Sequence, residues 1–139
     1  MPPREASFRH DARGATLVEF ALIAPVLGAL LFGMLGFGQL FWISHSVQQI
    51  ANDAARATVA GLTVRERSDL AQASARHALA SADGVKAQRL TLTVGEAAPW
   101  VTVTARYDAS DIAILRTGLV PMPEAMLERR ATVRMGGGA

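Results

Sequence analysis

Glu19 stands alone as a carboxylate inside an apolar run, with Ala15-Thr16-Leu17-Val18 before it and Phe20-Ala21-Leu22-Ile23 after it. Charged residues at the centre of a membrane helix cost about 2.5 to 3.5 kcal/mol on insertion scales, so such a placement is rarely accidental. Gly14 lies five residues upstream, at the end of a short polar and basic opening that begins Met1-Pro2-Pro3-Arg4. Other residues that could do chemistry are scattered. His10, His45 and His77 are far apart, without an HExxH pattern or a cysteine, so no metal-ligand spacing is present. Ser44-His45-Ser46 puts hydroxyls beside an imidazole, an arrangement expected at a membrane exit rather than in a catalytic centre. Asp108 and Asp111 flank Ser110 in an expected loop, and read as solvated carboxylates. The glycines form neither a phosphate loop nor a dinucleotide fingerprint. No catalytic residue, metal or cofactor is expected, and the chain reads as non-enzymatic.

The element that positions Glu19 is a long helix. From Phe20 to Ile43 no side chain is ionisable, and Gln39 is the one strongly polar residue. These 24 residues (20 to 43) reach about 36 Å as a helix, against a hydrocarbon core about 30 Å thick. A buried soluble helix is a poor alternative, because about a hundred residues follow and could hardly cover so uniformly apolar a rod. A cleaved secretory signal is a poor one too, since its apolar region runs about 7 to 15 residues, although Ser44-His45-Ser46 is a small-x-small site. The expectation is a retained membrane helix, with Phe41 and Trp42 as an interfacial anchor. Arg4, Arg9 and Arg13 precede the span and Arg56 alone falls within the twenty residues after Ile43, so the N-terminus stays cytoplasmic and the remainder crosses. The chain carries 14 − 12 = +2, and 11 − 10 = +1 without residues 1–14, which gives no reason to invoke nucleic acid. With no cysteine, disulfides and thiol chemistry are excluded.

Beyond the span there is room for one small domain. Ile43, Val47, Ile50, Ala51 and Ala54 follow helical spacing, so the membrane helix is expected to continue as an amphipathic helix to about Val59, with Gly61 as its stop. Thr63 with Glu66 fits a capping box, which starts a second helix running to about Ala82 with Leu70, Ala73, His77 and Ala80 on one face. Asp83-Gly84 ends it. Leu90, Leu92 and Val94 alternate with Thr91 and Thr93, then Val101, Val103, Ala105 and Tyr107 repeat the pattern after a turn at residues 95–99. Residues 130–135 make a third strand after an irregular connection containing Pro121 and Pro123. Trp100 and Tyr107 are expected to pack on the sheet or a helix, and residues 136–139 form a disordered tail. The fold class is α+β, with about three antiparallel strands covered on one face by the projecting helix.

The run Arg13-Gly14-Ala15-Thr16-Leu17-Val18-Glu19-Phe20-Ala21-Leu22-Ile23-Ala24-Pro25 resembles the start of TadE-like minor pilins, or pseudopilins. These belong to the tight-adherence (Tad, Flp-type) branch of the type IV pilus systems. Phe32-Gly33, Phe37-Gly38-Gln39 and Val47-Gln48-Gln49-Ile50-Ala51-Asn52-Asp53-Ala54-Ala55-Arg56-Ala57 continue the likeness. The resemblance implies a type IV pilin-like fold and cleavage by a prepilin peptidase between Gly14 and Ala15. A free amine at Ala15 would be mostly protonated near neutral pH. Glu19, four residues on and on the same helical face, would then pair with that ammonium or with one on an adjacent subunit. Independently of the resemblance, Ala24, Gly28 and Gly33 offer small surfaces for close helix packing, and Pro25 allows a kink.

The expected organisation is a leader at 1–14, a transmembrane and assembly helix at 15–43, a periplasmic domain at 44–135 and a tail at 136–139. The expected function is that of a minor pilin or pseudopilin needed for assembly of Tad/Flp-type pili in surface adherence and biofilm formation. Its expected partners are the inner membrane, the prepilin peptidase, other pilins and pseudopilins of the same system and the pilus assembly platform. The alternative is an unprocessed, single-pass periplasmic binding module.

Overall fold

The computed structural model describes residues 12–112 and 125–136. Most of the leader, the connection containing Pro121 and Pro123 and residues 137–139 of the tail lie outside the described residues. The first element, α1 (Ala12–Thr58), is 47 residues long and carries Pro25 inside it. Its length follows from a run without a helix-breaking pair, and it ends one residue before the expected Val59. Gly61 follows, buried in a tight turn.

α2 (Val64–Ser81) begins at the Thr63 cap. Thr63 Oγ1 accepts from the Glu66 backbone N–H at 3.2 Å. The Glu66 carboxylate reaches back to the Leu62 N–H at 2.9 Å, one residue earlier than the usual reciprocal bond, so two otherwise orphaned donors are satisfied. α2 then returns alongside α1 through Ala71, Ala75, Ala78 and Leu79, against Ala51, Ala54 and Ala55. The expected stripe is corrected here: Ala73, His77 and Ala80 are exposed and Leu70 is half-buried. Methyl-sized side chains on both helices allow close approach, and that contact chose the face. Gly84, at φ +84°, makes the left-handed turn after α2, and a single 3-10 turn at Ala87–Arg89 leads into the sheet.

β1 (Leu90–Ala97), β2 (Trp100–Asp108) and β3 (Met126–Arg134) form an antiparallel meander in the order β1-β2-β3. β1 is longer than its alternation implied: Gly95, Glu96 and Ala97 pair with Thr102, Val101 and Trp100, leaving Ala98-Pro99, joined by a cis peptide, as the turn. β3 starts four residues before the expected Arg130 and ends at Arg134. Val103, Ala105 and Tyr107 of β2 join Leu127 and Ala131 of β3 in one core with Leu40, Ile43, Val47 and Ile50 of α1. Trp100 is 48% exposed and so departs from the expected packing role, whereas Tyr107 is buried with its hydroxyl 3.3 Å from the Lys86 N–H that it accepts from. The other face of the sheet is polar: Thr102 Oγ1 meets Thr132 Oγ1 at 3.0 Å, and Arg106 pairs with Glu128 at 2.7 Å.

Two ionic clusters hold the ends of this sheet. At one end, Arg67 Nε and Nη2 donate to the two Glu96 oxygens at 2.8 and 3.0 Å, while its Nη1 donates to the Gly61 carbonyl at 2.9 Å. A Cβ at Gly61 would lie 2.6 Å from Arg67 Cγ and 2.8 Å from its backbone nitrogen, so only glycine admits this clamp. At the other end, Arg89 pairs with Asp108 at 3.2 Å and Asp111 at 3.5 Å, and Lys86 also pairs with Asp111. Asp108 and Asp111 are thus structural partners rather than merely solvated.

Gly61→Ala is expected to lower the stability of the domain by about 1–3 kcal/mol through overpacking, read as a fall in thermal midpoint. The Arg67 guanidinium, by hydrogen bonding first and charge second, holds the Glu96 carboxyl below its ordinary value of 4.5. The pair therefore contributes stability above that ordinary value and loses it as pH falls through the lower, folded one. Thermal melts of the wild type and Glu96→Gln should differ most at neutral pH and converge in acid; a gap constant with pH would contradict this.

Candidate functional site on the long helix

α1 divides into two parts by what surrounds it. Among the described residues, one helix is long and apolar enough to cross a membrane: the stretch Thr16–Thr58, whose most apolar window has a mean hydropathy of 2.3 and is only 6% buried. The large apolar side chains from Leu17 to Trp42 are exposed except Leu40, where the packed core begins. Large exposed apolar surfaces of this kind mark membrane or protein contacts. A single N-terminal helix with these properties suggests membrane anchoring.

Gly14 is in the first turn of α1, not in a loop before it. It is exposed, a Cβ there would meet nothing within 4 Å, and its φ is not positive. Glycine in a helix interior costs about 1 kcal/mol relative to alanine, so neither sterics nor backbone geometry accounts for this residue. Ala15 follows in the same turn. Glu19 is exposed one turn later, with no hydrogen-bond or ion-pair partner among the described residues. Ala24 and Gly28 are half-buried, Pro25 is exposed and Gly33 is buried. The helix continues through Pro25 without a break.

Where the exposed stretch meets the domain, Phe41 and Trp42 point outward at 76% and 60% exposure. The Trp42 indole N–H donates to the Asp83 carbonyl at 3.3 Å, tying this anchor to the end of α2. A groove beside it is lined by Ser46, Asp53, Ser74 and His77. On the opposite side, α1 and the start of β3 enclose a cleft that includes Phe37, Phe41, Met126 and Arg129. Met126 and Arg129 lie outside the strand expected at 130–135; the two-residue spacing of Leu127, Arg129 and Ala131 along one face of β3 is the signal that could have found them. Among the described residues, no group of three His, Asp or Glu side chains could hold a metal ion.

Such a chain belongs to a recognisable class, an α+β fold whose small domain is built on the end of an N-terminal candidate membrane helix. The family model described as TadE-like protein matches residues 14–56, which is α1 almost from end to end. Over that stretch the chain is similar to TadE-like proteins. No curated protein and no solved structure matches the chain.

The two tryptophans report on opposite ends of the domain. In vesicles, Trp42 (in a Trp100→Phe variant) should emit to the blue and be quenched by lipids brominated near the headgroup. Trp100 (in a Trp42→Phe variant) should emit as a water-exposed indole and escape quenching. Equal quenching of both would rule out this placement.

Proposed function

We propose that the chain is a minor pilin or pseudopilin subunit required to assemble Tad/Flp-type pili used in surface adherence and biofilm formation, and that it is not an enzyme. The observation that carries this reading is the coincidence of three boundaries. The TadE-like match begins at Gly14, the apolar exposed surface begins at Leu17, and one exposed carboxylate, Glu19, sits between that start and the rest of the span.

The organisation that follows is a cytoplasmic leader at 1–14, a transmembrane and assembly helix at 15–43, and a periplasmic domain at 44–135 with a short tail. A prepilin peptidase in the bacterial inner membrane cuts between Gly14 and Ala15. The glycine that the fold does not need is then the residue the protease needs. Cutting frees an ammonium at Ala15 at the head of a helix, where the aligned backbone dipoles already favour negative charge. Glu19, one turn on, supplies it. In apolar surroundings an unpaired charge is expensive and a paired one tolerable, so the pairing, with its own amine or that of a neighbouring subunit, fixes axial register. Ala24, Gly28 and Gly33 allow neighbouring helices to approach, and Pro25 gives a point of local unwinding. Other pilins, pseudopilins and the assembly platform are the partners of this surface.

A second reading, an unprocessed periplasmic binding module, is favoured by one feature: α1 already runs helical through the Gly14–Ala15 bond from Ala12. Intact mass of the chain isolated from its native host separates the two. A chain beginning at Ala15 supports the pilin, and one retaining Arg13 with active peptidase present supports the anchor. Gly14→Leu should leave the helix intact, since leucine is the better helix former by roughly 0.8 kcal/mol, yet abolish processing. Glu19→Gln should be processed and inserted normally but yield no pili by electron microscopy; normal piliation would refute the role given to Glu19.

A further inference from the structure

The cleft between α1 and β3, about 790 Å³, sits where the helix leaves its exposed apolar stretch. Phe37, Phe41, Met126 and Leu127 make it mainly apolar, while Ser44, Glu128 and Arg129 stand at its polar end. Arg129 occupies an inward position of β3, opposite Ala105 and between the buried Leu127 and Ala131. A half-buried guanidinium on the core face of a strand needs a compensating group. Its hydrogen bonds go to neutral acceptors, the Ser44 hydroxyl and the Glu128 carbonyl, the latter at 2.8 Å. The Glu128 carboxylate is taken by Arg106 and Arg130. Among the described residues no carboxylate pairs with Arg129.

Depth supplies the missing partner. Phe41 and Trp42 close the apolar run as its interfacial anchor, so the outer end of the transmembrane helix proposed at 15–43 reaches the headgroups there. The cleft then lies at headgroup level, with Met126, 54% exposed, and Phe41 on its lower rim. We propose that this cleft binds one anionic glycerophospholipid of the leaflet from which the domain emerges, its phosphate on Arg129 and an acyl chain along Phe37, Phe41 and Met126. A planar guanidinium with five donors matches phosphate oxygens, and the apolar walls match what is attached to a lipid phosphate rather than a free one. The inference rests on α1 spanning the membrane.

The test uses the full chain in nanodiscs of phosphatidylcholine containing a minority of phosphatidylglycerol, released into native mass spectrometry. Flotation with vesicles reports insertion separately. The wild type should float and retain one phosphatidylglycerol in preference to phosphatidylcholine. Arg129→Gln should float equally and retain about five-fold less, Arg129→Lys should recover part of the binding, and Arg134→Gln, altered outside the cleft at the far end of β3, should match the wild type. Glycerophosphate without acyl chains should not compete. Equal retention by the wild type and Arg129→Gln, an equal loss in Arg134→Gln, or competition by glycerophosphate would each overturn the lipid site while leaving the membrane helix standing. A lipid-independent dimer cross-linked through residues 41 and 126 would assign the cleft to a second copy and overturn it too. Failure of the wild type to float would instead sink the membrane reading itself, and the proposal with it.

Discussion

A single helix has to serve two surroundings, and the rest of the structure is arranged around that requirement. Up to Trp42, α1 presents large apolar side chains to the outside; from Leu40 onward it supplies the centre of a small core. Ile43, Val47 and Ile50 each contribute at most about 1.5–3 kcal/mol by burial. A three-stranded sheet with one polar face and an 18-residue α2 have little apolar surface to offer each other. Without the end of α1 between them, neither has a core. The domain therefore cannot be detached from the helix at the expected membrane boundary without removing Leu40 and Ile43 from its interior.

The second constraint is the thinness of this core. A sheet covered on one side by two helices can fray at either end, and both ends carry charged side chains whose partners come from a neighbouring element. Arg67 of α2 reaches Glu96 of β1, and Arg89 and Lys86 hold Asp108 at the end of β2 and Asp111 just beyond it. Asp108 is held below the usual carboxylate range first by its bonds to Ser110 and then by Arg89; Asp111 is held down first by Lys86. Exposed ion pairs are individually weak. Their role here is geometric: they fix where the strands start relative to the helices that cover them.

Much of this was legible in the sequence because periodicity is a strong signal when side chains differ. The exit of α1 through Ile43, Val47 and Ile50, the Thr63–Glu66 cap and the alternation of β2 needed no tertiary information. The contacting face of α2 did. Ala71, Ala75 and Ala78 lie on one face of that helix and Ala73 and Ala80 on the opposite one, so alanine content could not choose between them, and close packing against Ala51, Ala54 and Ala55 did. Charge misled at the strand ends. Glu96 looked like a turn residue but continues β1 because Arg67 meets it, and Glu128-Arg129-Arg130 hid the first half of β3. On the long helix, Gly14 and Glu19 were legible as anomalies against their surroundings; which molecules answer to them is a property of an assembly rather than of one folded chain.

The continuity of α1 separates two kinds of damage. The core begins at Leu40, 40 − 19 = 21 residues beyond Glu19, and no described side chain of the domain touches Gly14 or Glu19. Changes at those positions remove no packing, so the fold of the domain does not depend on them. Changes at Gly61, Arg67 or Glu96 act in the opposite way: they loosen the domain and leave the apolar stretch as able to enter a bilayer as it was. Arg129 stands between the two regimes. It is held by the Ser44 hydroxyl of α1 on one side and by its position in β3 on the other, so it ties the end of the exposed stretch to the sheet.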